Sequence, residues 1–110
     1  MAKKVVWVSY DLGLQGDYSG LYSWIDQNKG KECGDSVALI EIDAISDDIP
    51  KVIETQLDAN VKLTKRDRIY IIYRDDNSDK VKGKFLFGGR KRAPWEGYSQ
   101  TSIKGIEDIS

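Results

Sequence analysis

Apolar residues in this chain alternate, then recur at helical spacing, then alternate again. In KVVWVSYDL (residues 4–12), Val5 and Trp7 project to one side while Val6, Val8, Tyr10 and Leu12 project to the other. That is a strand with apolar residues on both faces, the pattern of a central position covered from both sides. After the loop GLQG, Tyr18, Leu21, Tyr22 and Ile25 fall at i, i+3, i+4 and i+7, widened by Trp24. The spacing predicts an amphipathic helix, with Asp17 as its N-cap and Asn28 and Gly30 as its stop. SVALIEID (residues 36–43) is a second strand, and KEC before it is a short strand if Gly34-Asp35 forms a two-residue hairpin turn. Ser46, Asp47 and Asp48 open a second helix with Pro50 in its first turn and Ile49, Val52, Ile53 and Leu57 as its buried stripe, ending near Asn60. RIYIIYR (residues 68–74) is a strand, DDNSDK a turn, and residues 81–87 the returning strand. Val81, Gly83, Phe85 and Phe87 share one face of it. Lys82 and Lys84 take the other, as on an edge strand protected by charge.

The order is β-α-β-α-β-β, or β-α-β-β-α-β-β with the hairpin. Two amphipathic helices over one face of a four- or five-stranded, mainly antiparallel sheet make an α+β two-layer sandwich of the ferredoxin-like kind. Residues 1–87 form a single domain, and residues 88–110 a basic and aromatic segment that packs on the domain or on a partner. Two helices cover one sheet face, whereas the strands carry apolar residues on both. The other face therefore calls for a partner, most simply a second copy, and a homodimer is expected.

Charge alters this picture. The net charge is −1, yet residues 1–61 carry five basic and eleven acidic side chains and residues 62–92 carry eleven and four. The string KVKGKFLFGGRKRAPW (residues 80–95) holds Lys80, Lys82, Lys84, Arg90, Lys91 and Arg92 with no acid, and Trp95 and Tyr98 offer flat rings beside them. Charge, a Gly-Gly backbone and stacking surfaces suit a nucleic acid or an acidic protein. The competing structural reading is a charged strand edge followed by a hydrophobic latch of Trp95 and Tyr98. Neither a phosphate-loop nor a dinucleotide fingerprint accompanies Gly88-Gly89.

The absence of histidine removes Ser-His-Asp and Cys-His catalysis and most transition-metal sites. Carboxylates, lysine, tyrosine, serine or a thiol remain, so residue types alone neither require nor exclude catalysis. One cysteine, Cys33, excludes an intramolecular disulfide and reads as a buried, inert thiol. No apolar run approaches the ~18 residues that span a bilayer. The N-terminus also turns polar at Ser9 and Asp11, too soon for a signal-peptide core, so a cytoplasmic protein without membrane contact is expected.

A first strand ending V-S-Y-D, then a helix, a strand opening at Ser36, a second helix and a final hairpin resembles the small CRISPR-associated ferredoxin-like proteins, kin of the interferase toxins. Those are dimers of the spacer-acquisition complex, some described as metal-dependent nucleases. The resemblance implies that Asp11, ending the first strand, is a metal ligand for Mg²⁺. The residues themselves indicate no cofactor. The sequence thus supports a small non-enzymatic binding or assembly module, contacting nucleic acid through residues 80–92. Its alternatives are a metal-dependent nuclease using Asp11 and a protein–protein module without a nucleic-acid role.

Overall fold

The computed structural model describes residues 2–44 and 48–99. Seven elements follow one another: β1 (Ala2–Asp11), α1 (Tyr18–Gln27), β2 (Lys31–Glu32), β3 (Val37–Ala44), α2 (Ile49–Asn60), β4 (Arg68–Asp75) and β5 (Lys80–Phe87). Both helices begin where an aspartate satisfies a free backbone N–H of the first turn. Asp17 accepts from Gly20 N at 2.9 Å and Asp48 from Lys51 N at 3.2 Å. Helix α1 stops as its sequence predicts: Asn28 Nδ2 donates to Trp24 O at 2.8 Å, Lys29 adopts φ 56°, and Gly30 N donates to Ile25 O at 2.9 Å.

The five strands form one sheet in the order β2-β3-β1-β4-β5, and every neighbouring pair is antiparallel. Strand β3 therefore lies between β1 and β2, the two strands that α1 joins, and β5 is added outside β4. The expected class, α+β with two helices and an antiparallel sheet, is present. This strand order does not by itself confirm the ferredoxin-like name.

One face of the sheet carries the core. Val6 and Val8 of β1, Ile40 and Ile42 of β3, and Ile69 and Ile71 of β4 are buried against Leu21 and Trp24 of α1 and Ile49, Ile53 and Leu57 of α2. Burial of these aliphatic side chains is the main force holding the two layers together. Tyr22, placed on the predicted stripe of α1, is instead about half exposed, its ring meeting Tyr10 and Tyr18 at the stripe's margin.

Three expectations are corrected by the backbone. The β2–β3 connection uses four residues rather than two: Cys33 N donates to Val37 O at 3.1 Å and Val37 N to Gly34 O at 3.1 Å, with Gly34 at φ 127° and Ser36 at φ 65°. Cys33 is consequently exposed, not buried. In β5 a register shift opposite Ile69 and Tyr70 sets Phe85 across from Tyr70 but Phe87 across from Ile69. The irregularity turns Phe87 to the core face, so it does not share a face with Phe85. Lastly, β1 is central but not covered on both sides. Val5 and Trp7 remain 47% and 45% exposed on the face the helices leave open, joined there by Ile72 at 38% and Val81 at 71%.

Candidate functional site

Three connections meet at the end of the sheet where β1 finishes, β4 begins and β5 finishes. Asp67, 1% exposed, ties two of them together. Its carboxylate accepts from Gly13 N at 2.8 Å, in the loop after β1, and from Thr64 N at 2.8 Å, in the loop before β4. A buried carboxylate survives only with such partners, and here they fix two loop backbones against each other. The third connection passes close by because residue 88 is glycine. Its φ is +71°, and a Cβ there would sit 2.8 Å from the Asp67 carbonyl oxygen and 2.7 Å from Arg68 Cγ.

A cleft of about 590 Å³ opens between these connections, with Leu12, Gly13, Leu14, Gly88 and Gly89 in its walls. Among the described residues its charged lining is Lys65, Arg66, Arg68, Arg90 and Lys91 against one acid, Asp11. Arg68 Nη2 donates to Asp11 Oδ2 at 2.7 Å and Nη1 to Gly89 O at 3.4 Å, while Nε is buried without a partner among the described residues. The hydrogen bond from Arg68 holds the Asp11 carboxyl below the usual carboxylate range, aided by the charges of Arg68 and Lys91. One carboxylate facing five cations leaves the cleft strongly positive.

The opposite end of the sheet is electrically different. Lys82 Nζ lies 2.8 Å from Asp75, Lys4 pairs with Asp76, and Arg74 pairs with Asp79, all through the acidic β4–β5 turn. The Lys82 hydrogen bond lowers the Asp75 pKa, and Asp75 raises that of Lys82 in return. The basic string of residues 80–92 is thus divided along the strand. Lys80 is registered against Asp75, and Lys82 and Lys84 face the helix side, away from Phe85. Arg90 and Lys91 alone of the string line the cleft, and Arg92 lies 3.7 Å from Glu96 on the exposed segment beyond.

An aromatic floor adjoins the cleft on the open sheet face. Ser9, Asp11, Arg68, Tyr70, Phe85, Arg90 and Trp95 enclose a depression of about 360 Å³. Tyr70 and Phe85 meet edge to face with centroids 4.7 Å apart, and the Arg90 guanidinium stands 5.8 Å and 5.5 Å from their respective centroids. Trp95 and Tyr98 stay 73% and 74% exposed, so neither closes over the sheet of its own chain as a latch. Trp95 forms a rim of the depression.

Asp11 does not suit a divalent ion as it stands, because an ion would have to displace the Arg68 guanidinium amid four further cations. Among the described residues no three metal-ligating side chains cluster. Asp17 is committed elsewhere, accepting from Gly20 N and Lys62 N, and those two hydrogen bonds lower its pKa.

Lys65, Arg66, Arg68, Tyr70 and Phe85 were not singled out by the sequence reading. For the three basic residues the signal was present in KLTKRDR, but Lys65 and Arg66 fall in a loop with no periodicity to show which way they point, and Arg68 opens β4. No protein-family model, curated protein or solved structure matches this chain.

Proposed function

We propose that this protein is a non-enzymatic module that binds nucleic acid through the basic cleft at the β1–β4–β5 end of its sheet. The observation that carries the reading is the separation of charge: Lys65, Arg66, Arg68, Arg90 and Lys91 line one cleft. At the other end Lys82, Lys4 and Arg74 are each paired with an acid, Asp75, Asp76 and Asp79 respectively. Phosphates supply the closely spaced negative charges that such a cluster attracts, and the glycine backbone at residues 88–89 permits close approach. The order β2-β3-β1-β4, with β5 appended, agrees with a ferredoxin-like reading in which the helices cover one face and leave the other for ligands.

The test is fluorescence anisotropy with a labelled oligonucleotide across a salt series. Replacing Lys65, Arg66, Arg90 and Lys91 by alanine is expected to weaken binding at least tenfold and to flatten its salt dependence, since each lost phosphate contact removes about one unit of slope. Replacing Lys80, Lys82 and Lys84 should have little effect. Binding that survives the first set, or falls only with the second, overturns the assignment.

A second reading has its own observation. The apolar patch of Val5, Trp7, Ile72 and Val81 on the helix-free face supports an assembly role, with a second copy of the chain as partner.

A further inference from the structure

Gly83 interrupts a strand where a side chain would ordinarily strengthen the sheet. Its register explains the choice. Gly83 lies opposite Ile72 on β5, next along the open face from Phe85, which lies opposite Tyr70. A Cβ at residue 83 would overlap the Tyr70 hydroxyl and ring, so the absence of a side chain lets Tyr70 lie down across β5 beside Phe85. The two rings, inclined at 64° to each other, form an aromatic corner, partly buried and open toward the depression that Arg90 and Trp95 border.

A cation already lies within cation–π reach of both rings. The Arg90 guanidinium stands over both rings, at 5.8 Å from Tyr70 and 5.5 Å from Phe85. A guanidinium stacks on aromatic faces much as a base does, and it is also the side chain best matched to a phosphate. Arg90 itself is exposed, on the segment after β5, so it can exchange one partner for the other.

We propose that Tyr70 and Phe85 form a stacking platform for an unstacked base of single-stranded nucleic acid, laid down by Gly83 and covered by Arg90 in the free protein. The proposal rests on the reading of the adjoining cleft as a phosphate-binding surface, and it specifies which nucleic acid that surface takes. A duplex keeps its bases in the stack and can use only the cations. A single strand can place phosphates on Arg68, Lys91 and the released Arg90, and a base on the rings.

The experiment compares a short labelled oligothymidylate with a duplex of equal length, binding to the full chain. The variants are Tyr70→Leu and Phe85→Leu, which keep apolar volume and remove one ring each, with circular dichroism confirming the fold. Single-strand affinity is expected to fall roughly tenfold for each ring. Duplex affinity and the salt dependence should stay as in the unmodified protein, because every cation remains. Unchanged single-strand affinity in both variants overturns the platform while leaving the phosphate cleft standing. Equal loss for single strand and duplex also overturns it, since the rings would then act only through structure. If the unmodified chain binds neither oligonucleotide, the cleft reading fails and the platform with it. The Lys65→Ala, Arg66→Ala variant separates the two readings, weakening both nucleic acids whether or not the rings contribute.

Discussion

Asp11 carries the sharpest disagreement between two chemistries at a single residue. As a metal ligand it would be indispensable. As the acid that faces five cations in the cleft, it opposes an anionic partner and occupies one edge of Arg68, 2.7 Å away. Asp11→Asn is therefore expected to strengthen oligonucleotide binding, by roughly two- to fivefold for an exposed pair of this kind. The pH dependence has the same sign. The folded pKa of Asp11 is depressed, so the carboxylate is charged throughout the neutral range. The Asp11–Arg68 pair stabilises the fold above the ordinary aspartate pKa, and that stabilisation is lost only as pH falls through the depressed value. Anion binding should tighten over that same acid window in the native protein and not in Asp11→Asn. Anisotropy titrations at neutral and acid pH read both effects. Weaker binding by Asp11→Asn, or Mg²⁺-dependent cleavage that it abolishes, would return Asp11 to the metal-ligand reading.

At the scale of the element, a polar contact joins the two helices to each other beside the apolar layer they share with the sheet. Trp24 of α1 is 2% exposed, and its Nε1 donates to Gln56 Oε1 of α2 at 3.0 Å. Trp24→Ala should cost about 3–5 kcal/mol from lost burial and the cavity left behind. Trp24→Phe should cost less, about 1–2 kcal/mol, chiefly from the unpaired Gln56 amide. Urea denaturation measures both, and a loss below about 1 kcal/mol for Trp24→Ala would show that this layer relaxes around the gap. Elements of this kind were legible in the sequence, because helix periodicity, an aspartate cap and a glycine stop are local signals: α1 and α2 begin and end within a residue or two of their predicted bounds. The face of Phe87 was not legible, since a one-residue irregularity in β5 is imposed by its pairing with β4 and leaves no mark in the alternation of β5 itself. The cleft was half legible. Arg90 and Lys91 stood out as part of a basic run, but Lys65, Arg66 and Arg68 join them only through the buried Asp67 and the chain crossing at Gly88, contacts 21 to 54 residues apart in sequence.

For the molecule as a whole, the open sheet face carries a consequence that neither residue nor element shows alone. Val5, Trp7, Ile72 and Val81 lie on three neighbouring strands, with the Tyr70–Phe85 pair one register row nearer the cleft. A soluble protein rarely leaves such a patch bare on a flat sheet. A second copy offset toward the β4–β5 turn would cover this patch and leave the Tyr70–Phe85 pair open. Sheets pack face to face at roughly 10 Å, close enough for these side chains to interdigitate. The expected outcome in sedimentation velocity is a dimer that persists at high salt, because apolar burial rather than exposed charge would hold it. Trp7→Lys with Ile72→Lys should sediment as a monomer with an unchanged circular dichroism spectrum, since both positions lie outside the core that binds the helices. A dimer that dissociates with rising salt yet tolerates both lysines would instead be held by its opposite charges. If the unmodified chain is a monomer at every concentration, the patch serves a different partner, and the stacking platform at its border becomes the principal use of this face.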